Sequence, residues 1–195
     1  MKKQLIAAAA ACAMTVPAFA QGESYVDGFF ALSKVDFDPG PDDDGNGFGL
    51  KGAFQVANQA FLAAEYQTVE FDDFNADLDQ IRLGGIFGPG AGSRGEGVYG
   101  QVEYVDFDFD DGEDQDGLGA HVGYSIPISP EFRVYGQGGY LLLDDVDGPE
   151  FLAGGTFQVA QNIAIFADYR LGFLDVDNGG DLDTNDFRVG ARFLF

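Results

Sequence analysis

The chain has 195 residues, the length of one domain, and a net charge of −23, which argues against nucleic acid as a partner. It contains 29 Gly and 20 Phe but no Trp. The single cysteine, Cys12, lies near the N-terminus, so no disulfide can stabilise the rest of the chain. Beyond the N-terminal apolar run, no window is apolar enough for a transmembrane helix. Such a composition, with frequent turn signals, is typical of an all-β protein.

Residues 1–20 have the pattern of a secretory signal peptide. Two lysines precede an apolar run, and Ala18-Phe19-Ala20 offers the small-x-small motif that signal peptidase cleaves. We therefore expect an exported protein whose mature domain is 21–195. The alternative is lipidation at Cys12. It is disfavoured because alanine stands three residues before the cysteine, where lipoprotein signals usually carry a larger aliphatic residue.

A repeated segment with period-two alternation covers the mature chain. In five segments every second residue lies on one apolar face, and an aromatic residue stands six positions after the first residue. These segments begin at Phe48, Ile81, Leu118, Phe151 and Phe187. Five partner segments show the same alternation: 26–32, 60–66, 98–104, 134–140 and 163–169. Because alternate residues of a strand face the same side, the pattern predicts ten strands with one apolar face each. Eight strands are the alternative, if two of these segments are loops.

The connections and the aromatic residues together predict a closed, antiparallel, up-and-down transmembrane β-barrel. Short turns at one end and longer acidic connections at the other are the layout of outer-membrane barrels. Aromatic residues of the apolar face fall at two heights, as in the girdles at the two membrane interfaces. A soluble up-and-down barrel is the alternative, but a soluble core has no reason to sort its aromatics by height. We expect the loops to be extracellular and both termini periplasmic.

The opposite face of the predicted strands carries a polar network that would line the lumen. Its members are Asp27, Lys51, Glu65, Arg82, Glu103, His121, Arg133, Asp168, Arg170, Arg188 and Arg192. The network contains six basic and four acidic residues. It is either an ion-paired plug or an ion path with a net positive constriction. A barrel of ten strands favours the plug, because open aqueous channels belong to much larger barrels. No nucleophile or triad-like motif accompanies His121, so we expect no enzymatic activity.

Most of the 33 acidic residues fall in five segments that we expect to be loops. They cover 36–44, 70–79, 106–116, 144–150 and 175–186. Clustered Asp with Gly and Asn suits hard divalent cations, so weak Ca²⁺ or Mg²⁺ binding is an open alternative. The fifth segment loosely matches a twelve-residue calcium loop, but a diffuse cation cloud is the favoured interpretation. We assign no cofactor and no metal ligand.

Several strands also resemble a known family. The terminal segment 187–195, ending in Phe195, looks like the strand that the outer-membrane assembly machinery recognises. Segments 24–28, 47–52 and 77–85 resemble strands of the small Asp-loop proteins of the xanthomonad type. Those proteins are part of the OmpX/opacity-like outer-membrane β-barrel superfamily. The resemblance implies outer-membrane residence and surface exposure, and it transfers no catalytic residue.

Two functional hypotheses follow from these features. The first is a structural or surface-interaction protein, whose acidic loops collect cations and contact lipopolysaccharide and outer-membrane lipid. The second is a narrow porin-like channel through the charged lumen. Conductance of the purified protein would separate the two.

Overall fold

The computed structural model describes residues 24–38, 40–71, 77–109, 114–177 and 179–195. The predicted signal peptide and the position of its cleavage lie outside these ranges. Among the described residues, no α-helix is long and apolar enough to cross a membrane. The chain forms ten antiparallel strands: β1 Tyr25–Asp38, β2 Asp42–Ala57, β3 Ala60–Phe71, β4 Asp77–Phe87, β5 Gly97–Phe109, β6 Gln115–Pro127, β7 Phe132–Leu143, β8 Val146–Ala160, β9 Ile163–Val176 and β10 Asp181–Leu194.

The ten strands form one closed barrel in chain order, which confirms the predicted fold. Each strand pairs with its neighbours in sequence, and β1 pairs with β10 from Tyr25↔Leu194 to Asp38↔Asp181. Closure leaves every strand hydrogen-bonded on both sides and removes the exposed edges that an open sheet would carry. We call the end with β2–β3, β4–β5, β6–β7 and β8–β9 connections the turn end, and the opposite end the acid end.

The strands reach further toward the acid end than the sequence predicted. β8 begins at Val146 instead of Phe151, and β10 begins at Asp181 instead of Phe187. The predicted acidic loops are therefore largely strand. The reason is that acidic residues there alternate with apolar residues that face inward, as Leu182 does between two aspartates.

The outer surface between the two aromatic levels is apolar and exposed, as a lipid-facing surface must be. Phe87, Tyr124, Phe157 and Phe193 lie near the turn end, and all four are exposed outside the barrel. Tyrosines mark the other level, and we call them the tyrosine girdle: Tyr66, Tyr104, Tyr140 and Tyr169. Exposed aliphatic side chains such as Leu83 and Val122 lie between the levels.

The interior near the acid end is filled by apolar side chains, which we call the acid-end cluster. Its buried members come from seven strands: Val35, Val69, Phe71, Val105, Leu141, Leu143, Val146, Leu174 and Leu182. Phe37, Leu78, Phe107 and Val176 pack against them. These side chains meet across the barrel axis and close the interior at this end.

The turn end is covered by the β4–β5 connection, 88–96, which we call the turn-end segment. Ala91 is buried against Phe61, Ala53 and Tyr99 inside the barrel. The segment is held by its own backbone hydrogen bonds, including Ala91 N to Gly88 O at 3.0 Å. Gly92 adopts a φ of 81°, and a Cβ there would lie 2.5 Å from the Phe61 ring. Glycine is therefore required both for the backbone conformation and for the close approach.

Candidate functional site in the charged interior

The charged residues predicted on the non-apolar face all point into the barrel. Asp27, Arg82, Glu103, His121, Asp168, Arg170, Arg188 and Arg192 are buried, and Lys51, Glu65 and Arg133 are partly buried. Alternation along each strand places them there, since their sequence neighbours face lipid. All except Arg133 join one of two groups of ion pairs between the acid-end cluster and the turn end.

The larger group crosses strands β1, β2, β3, β9 and β10. Asp168 accepts hydrogen bonds from Lys51 Nζ at 2.9 Å and from Arg188 Nε at 2.6 Å. Glu65 accepts from Arg170 and Arg188, each at 2.8 Å. Arg188 thus joins two carboxylates and is completely buried. Mutual pairing of this kind is what makes buried charges tolerable.

A bidentate pair belongs to the same group and lies nearer the turn end. Arg192 donates from Nε and Nη2 to the two oxygens of Asp27, both at 2.8 Å. The Arg192 guanidinium lies 3.7 Å from the centre of the Tyr25 ring, a cation–π contact. Lys51 lies 3.8 Å from Asp27 and 4.3 Å from the centre of the Phe166 ring. The fork geometry and the aromatic faces fix the position of this arginine.

The second group is a quartet around Arg82. Arg82 donates from Nη1 to Glu103 Oε1 and Glu150 Oε1, both at 2.8 Å, and from Nη2 to Glu150 Oε2 at 2.5 Å. His121 lies on the other side of the two carboxylates, with Nε2 3.2 Å from Glu150 Oε1 and Nδ1 3.7 Å from Glu103 Oε1. Gly139 leaves space for the imidazole, because a Cβ there would lie 2.2 Å from His121 Cδ2.

The imidazole of His121 is enclosed within the quartet. Both of its ring nitrogens are buried, and neither makes a hydrogen bond within the described residues. This arrangement could not be predicted from the sequence, because its four members come from β4, β5, β6 and β8.

Three interior carboxylates were wrongly predicted to be in acidic loops. Glu150 is buried on β8 and pairs with Arg82, and Asp186 of β10 faces inward, where it accepts from Ser33 Oγ at 2.6 Å. Asp43 of β2 is buried as well. All three were missed because the predicted strands began too late. Added to the four acids predicted in the lumen, they outnumber its six basic residues by one. The predicted net positive constriction is therefore wrong for the barrel interior as a whole.

Arg133 is the basic residue of the interior that stands apart. Its Nη1 donates to Gly95 O of the turn-end segment, and also to Ser125 Oγ at 3.3 Å. No carboxylate of the described residues forms a salt bridge with it. Its guanidinium therefore anchors the turn-end segment by a side-chain-to-backbone bond.

A cavity of about 120 Å³ lies between the ion pairs and the turn-end segment. Gly90, Ala91 and Gly92 form part of its wall, together with hydroxyl and amide side chains. The charged residues around it are Lys51, Glu65, Arg82, Glu103, Arg133, Asp168, Arg170, Arg188 and Arg192. A polar space of this size holds several water molecules.

A possible group of metal ligands lies within the quartet. Among the described ranges, the cluster of three potential ligands is Glu103, His121 and Glu150, with donor atoms within 4.8 Å of one another. Arg82 already bonds both carboxylates, so a divalent ion there would leave excess positive charge in a buried site. We assign no metal to it.

The fifth acidic segment is a β-hairpin and not a twelve-residue calcium loop. Asp175 of β9 lies directly opposite Asp181 of β10, and Val176 N donates to Gly180 O at 2.9 Å. Residue 178 lies outside the described ranges. The calcium-like spacing is accounted for by two strands whose outward positions are acidic.

Carboxylates form a belt outside the barrel beyond the tyrosine girdle, and we call it the acidic belt. Cross-strand neighbours in it carry the same charge: Asp79↔Asp108, Asp106↔Asp116, Asp147↔Asp175, Asp175↔Asp181 and Asp36↔Asp183. The girdle hydroxyls bond to it, as Tyr66 does to Asp79 Oδ1 at 3.0 Å and Tyr104 to Asp116 Oδ2 at 3.1 Å. Like charges directly opposite each other destabilise a sheet.

A comparison with protein families gives one match. The family model described as "Outer membrane protein beta-barrel domain" matches residues 6–195. A comparison with curated protein sequences gives no significant match.

Several solved structures of bacterial proteins have a similar fold. The outer membrane protease OmpT from Escherichia coli is 10% identical, with a TM-score of 0.55, covering 93% of this chain and 99% of that chain. An outer membrane channel from Pseudomonas putida F1 is 10% identical, with a TM-score of 0.51, covering 91% and 97%. Neisserial surface protein A is 15% identical, with a TM-score of 0.50, covering 88% and 97%. At such identities these likenesses show the fold alone.

Proposed function

Since the chain belongs to the outer-membrane β-barrel family and resides in the outer membrane, we propose that it is a closed, non-conducting barrel with a structural or surface-interaction role. The observation that carries the proposal is the acid-end cluster, which fills the interior with buried side chains such as Val105, Leu141 and Leu174. Ions that crossed this layer would have to leave water for an apolar environment. The ion pairs and the turn-end segment add two further barriers on the same axis.

Planar-bilayer conductance of the purified protein tests this proposal against the channel alternative. We expect no single-channel steps from the wild type, because the interior is closed at both ends. Reproducible steps that disappear in Ala63→Phe, a substitution on the cavity wall, would establish the narrow channel instead. Val122→Phe, on the lipid-facing surface, is the matched control, since it adds similar bulk outside the lumen.

We further propose that the acidic belt is the surface that meets the surroundings, with the acid end extracellular and the termini periplasmic. The belt lies just beyond the tyrosine girdle, at the height of lipid headgroups. Anionic lipopolysaccharide and an anionic belt repel each other unless cations collect between them. Divalent cations screen such a surface more effectively than sodium does.

Thermal unfolding of the folded protein tests this cation dependence. Because a diffuse cation cloud is the favoured interpretation, calcium or magnesium at about millimolar concentration should raise the midpoint about as much as sodium at matched ionic strength. A larger rise with calcium or magnesium would indicate coordination by the carboxylates. Replacing Asp175, Asp181 and Asp183 with Asn should then reduce that difference.

No enzymatic activity is included in this proposal. The one histidine, His121, is buried between Glu103 and Glu150, so a substrate at the surface does not meet it. The terminal strand ending at Phe195 supports recognition by the outer-membrane assembly machinery. The Asp-rich strand ends support the narrower relation to the xanthomonad-type Asp-loop proteins.

A further inference from the structure

We propose that the cavity behind the turn-end segment binds a small oxyanion, of the phosphate or carboxylate class, on Arg133. The cavity measures about 120 Å³ and is lined by Arg133 together with Lys51 and Arg192. Gly90, Ala91 and Gly92 of the turn-end segment form part of its wall. The site is distinct from the closed acid end that carries the proposed function.

The pairing of charges around the cavity leaves Arg133 without a direct salt bridge. Each carboxylate that lines the cavity is already paired: Glu65 with Arg170 and Arg188, Glu103 with Arg82, and Asp168 with Lys51 and Arg188. Arg192 is paired with Asp27. Arg133 has none of these partners. Glu96 of the turn-end segment attracts it without forming a salt bridge, and Arg192 acts on it as a like charge. An anion beside Arg133 would give this guanidinium the direct ion pair that it lacks among the described residues.

The donors of Arg133 match an oxyanion. A guanidinium carries five N–H groups, and here the Nη1 group donates to Gly95 O and Ser125 Oγ. The remaining Nη2 and Nε groups have no protein acceptor among the described residues. Both groups remain accessible. Arg133 is only partly buried, and neither Nη2 nor Nε is among the buried atoms that lack a hydrogen-bond partner. Two parallel N–H groups are the geometry that carboxylate and phosphate oxygens accept.

Other ligands fit the cavity less well. A cation would face six basic side chains on the cavity wall. A large organic molecule exceeds a volume of about 120 Å³. An uncharged polar molecule would leave the Arg133 charge unbalanced in a partly buried position, which is unfavourable.

Anion binding would also reach the turn-end segment directly. The same guanidinium that faces the cavity holds Gly95 O, so an oxyanion on Nη2 and Nε fixes the side chain in the rotamer that bonds the segment. The backbone amides of 90–92, which line the cavity, are therefore reporters of binding. Arg94 provides a matched control, since it belongs to the same segment and is exposed.

The test is a phosphate titration of the folded protein in detergent micelles, followed by amide chemical shifts. In the wild type, phosphate should give saturable shifts at Gly90 and Gly92, and chloride at equal ionic strength should not. Arg133→Gln should weaken phosphate binding about tenfold or more, because charged hydrogen bonds are lost. Arg94→Gln should bind as the wild type does. Titration with acetate shows whether the site takes carboxylates as well as phosphates.

Three results would overturn the proposal: equal shifts with chloride, unchanged affinity in Arg133→Gln, or no saturable shift with either phosphate or acetate. If Arg133→Gln does not fold, Arg133→Lys takes its place. Lysine keeps the charge and loses the fork, so its affinity should fall by a smaller factor than for glutamine. Unchanged affinity in the lysine variant would also contradict an oxyanion held by the guanidinium.

Discussion

Between its two aromatic levels the barrel carries charged side chains inside and apolar side chains outside. Beyond the tyrosine girdle the same strands carry apolar side chains inside and charged side chains outside. β10 shows both regions. Arg192 and Arg188 face inward in the membrane part, and Val189 faces lipid. Toward the acid end, Leu182 faces inward and Asp183 outward. The period-two alternation is unchanged, and only the assignment of polar residues to a face is reversed.

The surroundings explain the reversal. Lipid accepts apolar side chains and rejects charges, so the membrane part keeps its charges inside, where they pair. Water surrounds the strands beyond the girdle, so apolar side chains there turn inward and form a core as in a soluble barrel. We call the part of the strands beyond the tyrosine girdle the extension. From Tyr169 to Asp175 it is six residues long, which for a tilted strand is roughly 15 Å. The two regions therefore have different sources of stability.

Removing Arg82 should produce the largest loss of stability, because the membrane part depends on charge pairing. Arg82→Met keeps most of the side-chain volume and leaves Glu103 and Glu150 without the guanidinium that bonds to both of them. We expect a loss of about 3–5 kcal/mol in the free energy of unfolding. Urea unfolding of the folded protein in detergent measures it.

Two further variants separate charge from volume in this experiment. Arg94→Met, at an exposed position, should be nearly neutral. Arg82→Met combined with Glu103→Gln and Glu150→Gln should recover much of the loss, because the uncompensated charges are gone. If the combined variant is as unstable as Arg82→Met alone, pairing is not what stabilises the membrane part.

The interior of the extension should respond to lost volume instead. Leu141 is 1% exposed within the acid-end cluster, and its neighbour Leu142 is 60% exposed outside the barrel. Leu141→Ala should cost about 2–4 kcal/mol, the range for a buried leucine. Leu142→Ala is the matched control and should cost far less. Equal losses at the two positions would mean that the extension has no packed core.

The contrast between the regions also shows what the sequence could predict. Alternation predicted ten strands and the inward face of residues such as Lys51 and Asp168. The pairing of these two, 117 residues apart, could not be predicted, since it depends on the curvature of the closed barrel. The sequence predicts loops in the extension, because a run of aspartates resembles a turn. The inward residues between them, such as Leu182, were the signal that could have identified strands.

Charge repulsion in the acidic belt should have a smaller effect and the opposite sign. Asp175 faces Asp147 on one side and Asp181 on the other. Asp175→Asn removes both repulsions and keeps the size, so it should stabilise the protein by about 0.2–1 kcal/mol at low salt. The gain should shrink at about 1 M salt, where charges are screened. Destabilisation at low salt would indicate that a bound cation holds these carboxylates together.

The smallest effect is expected at the tyrosine girdle, where the two regions meet. The Tyr104 hydroxyl lies 3.1 Å from Asp116 Oδ2 and 3.4 Å from Asp106 Oδ2, so it joins the lipid-facing surface to the acidic belt. Tyr104→Phe removes this bond while the ring stays, and we expect a loss of about 0.5 kcal/mol, at the low end for a hydrogen bond to an exposed group.

Tyr124→Phe, at the aromatic level near the turn end, is the matched control. No hydrogen bond of its hydroxyl is present among the described residues, so it should be neutral. A loss at Tyr104 that disappears when Asp116 and Asp106 are both replaced by Asn would identify the carboxylates as its cause. Equal effects at Tyr104 and Tyr124 would instead mean that both levels act only through their rings, and that the boundary between the regions is set by the rings alone.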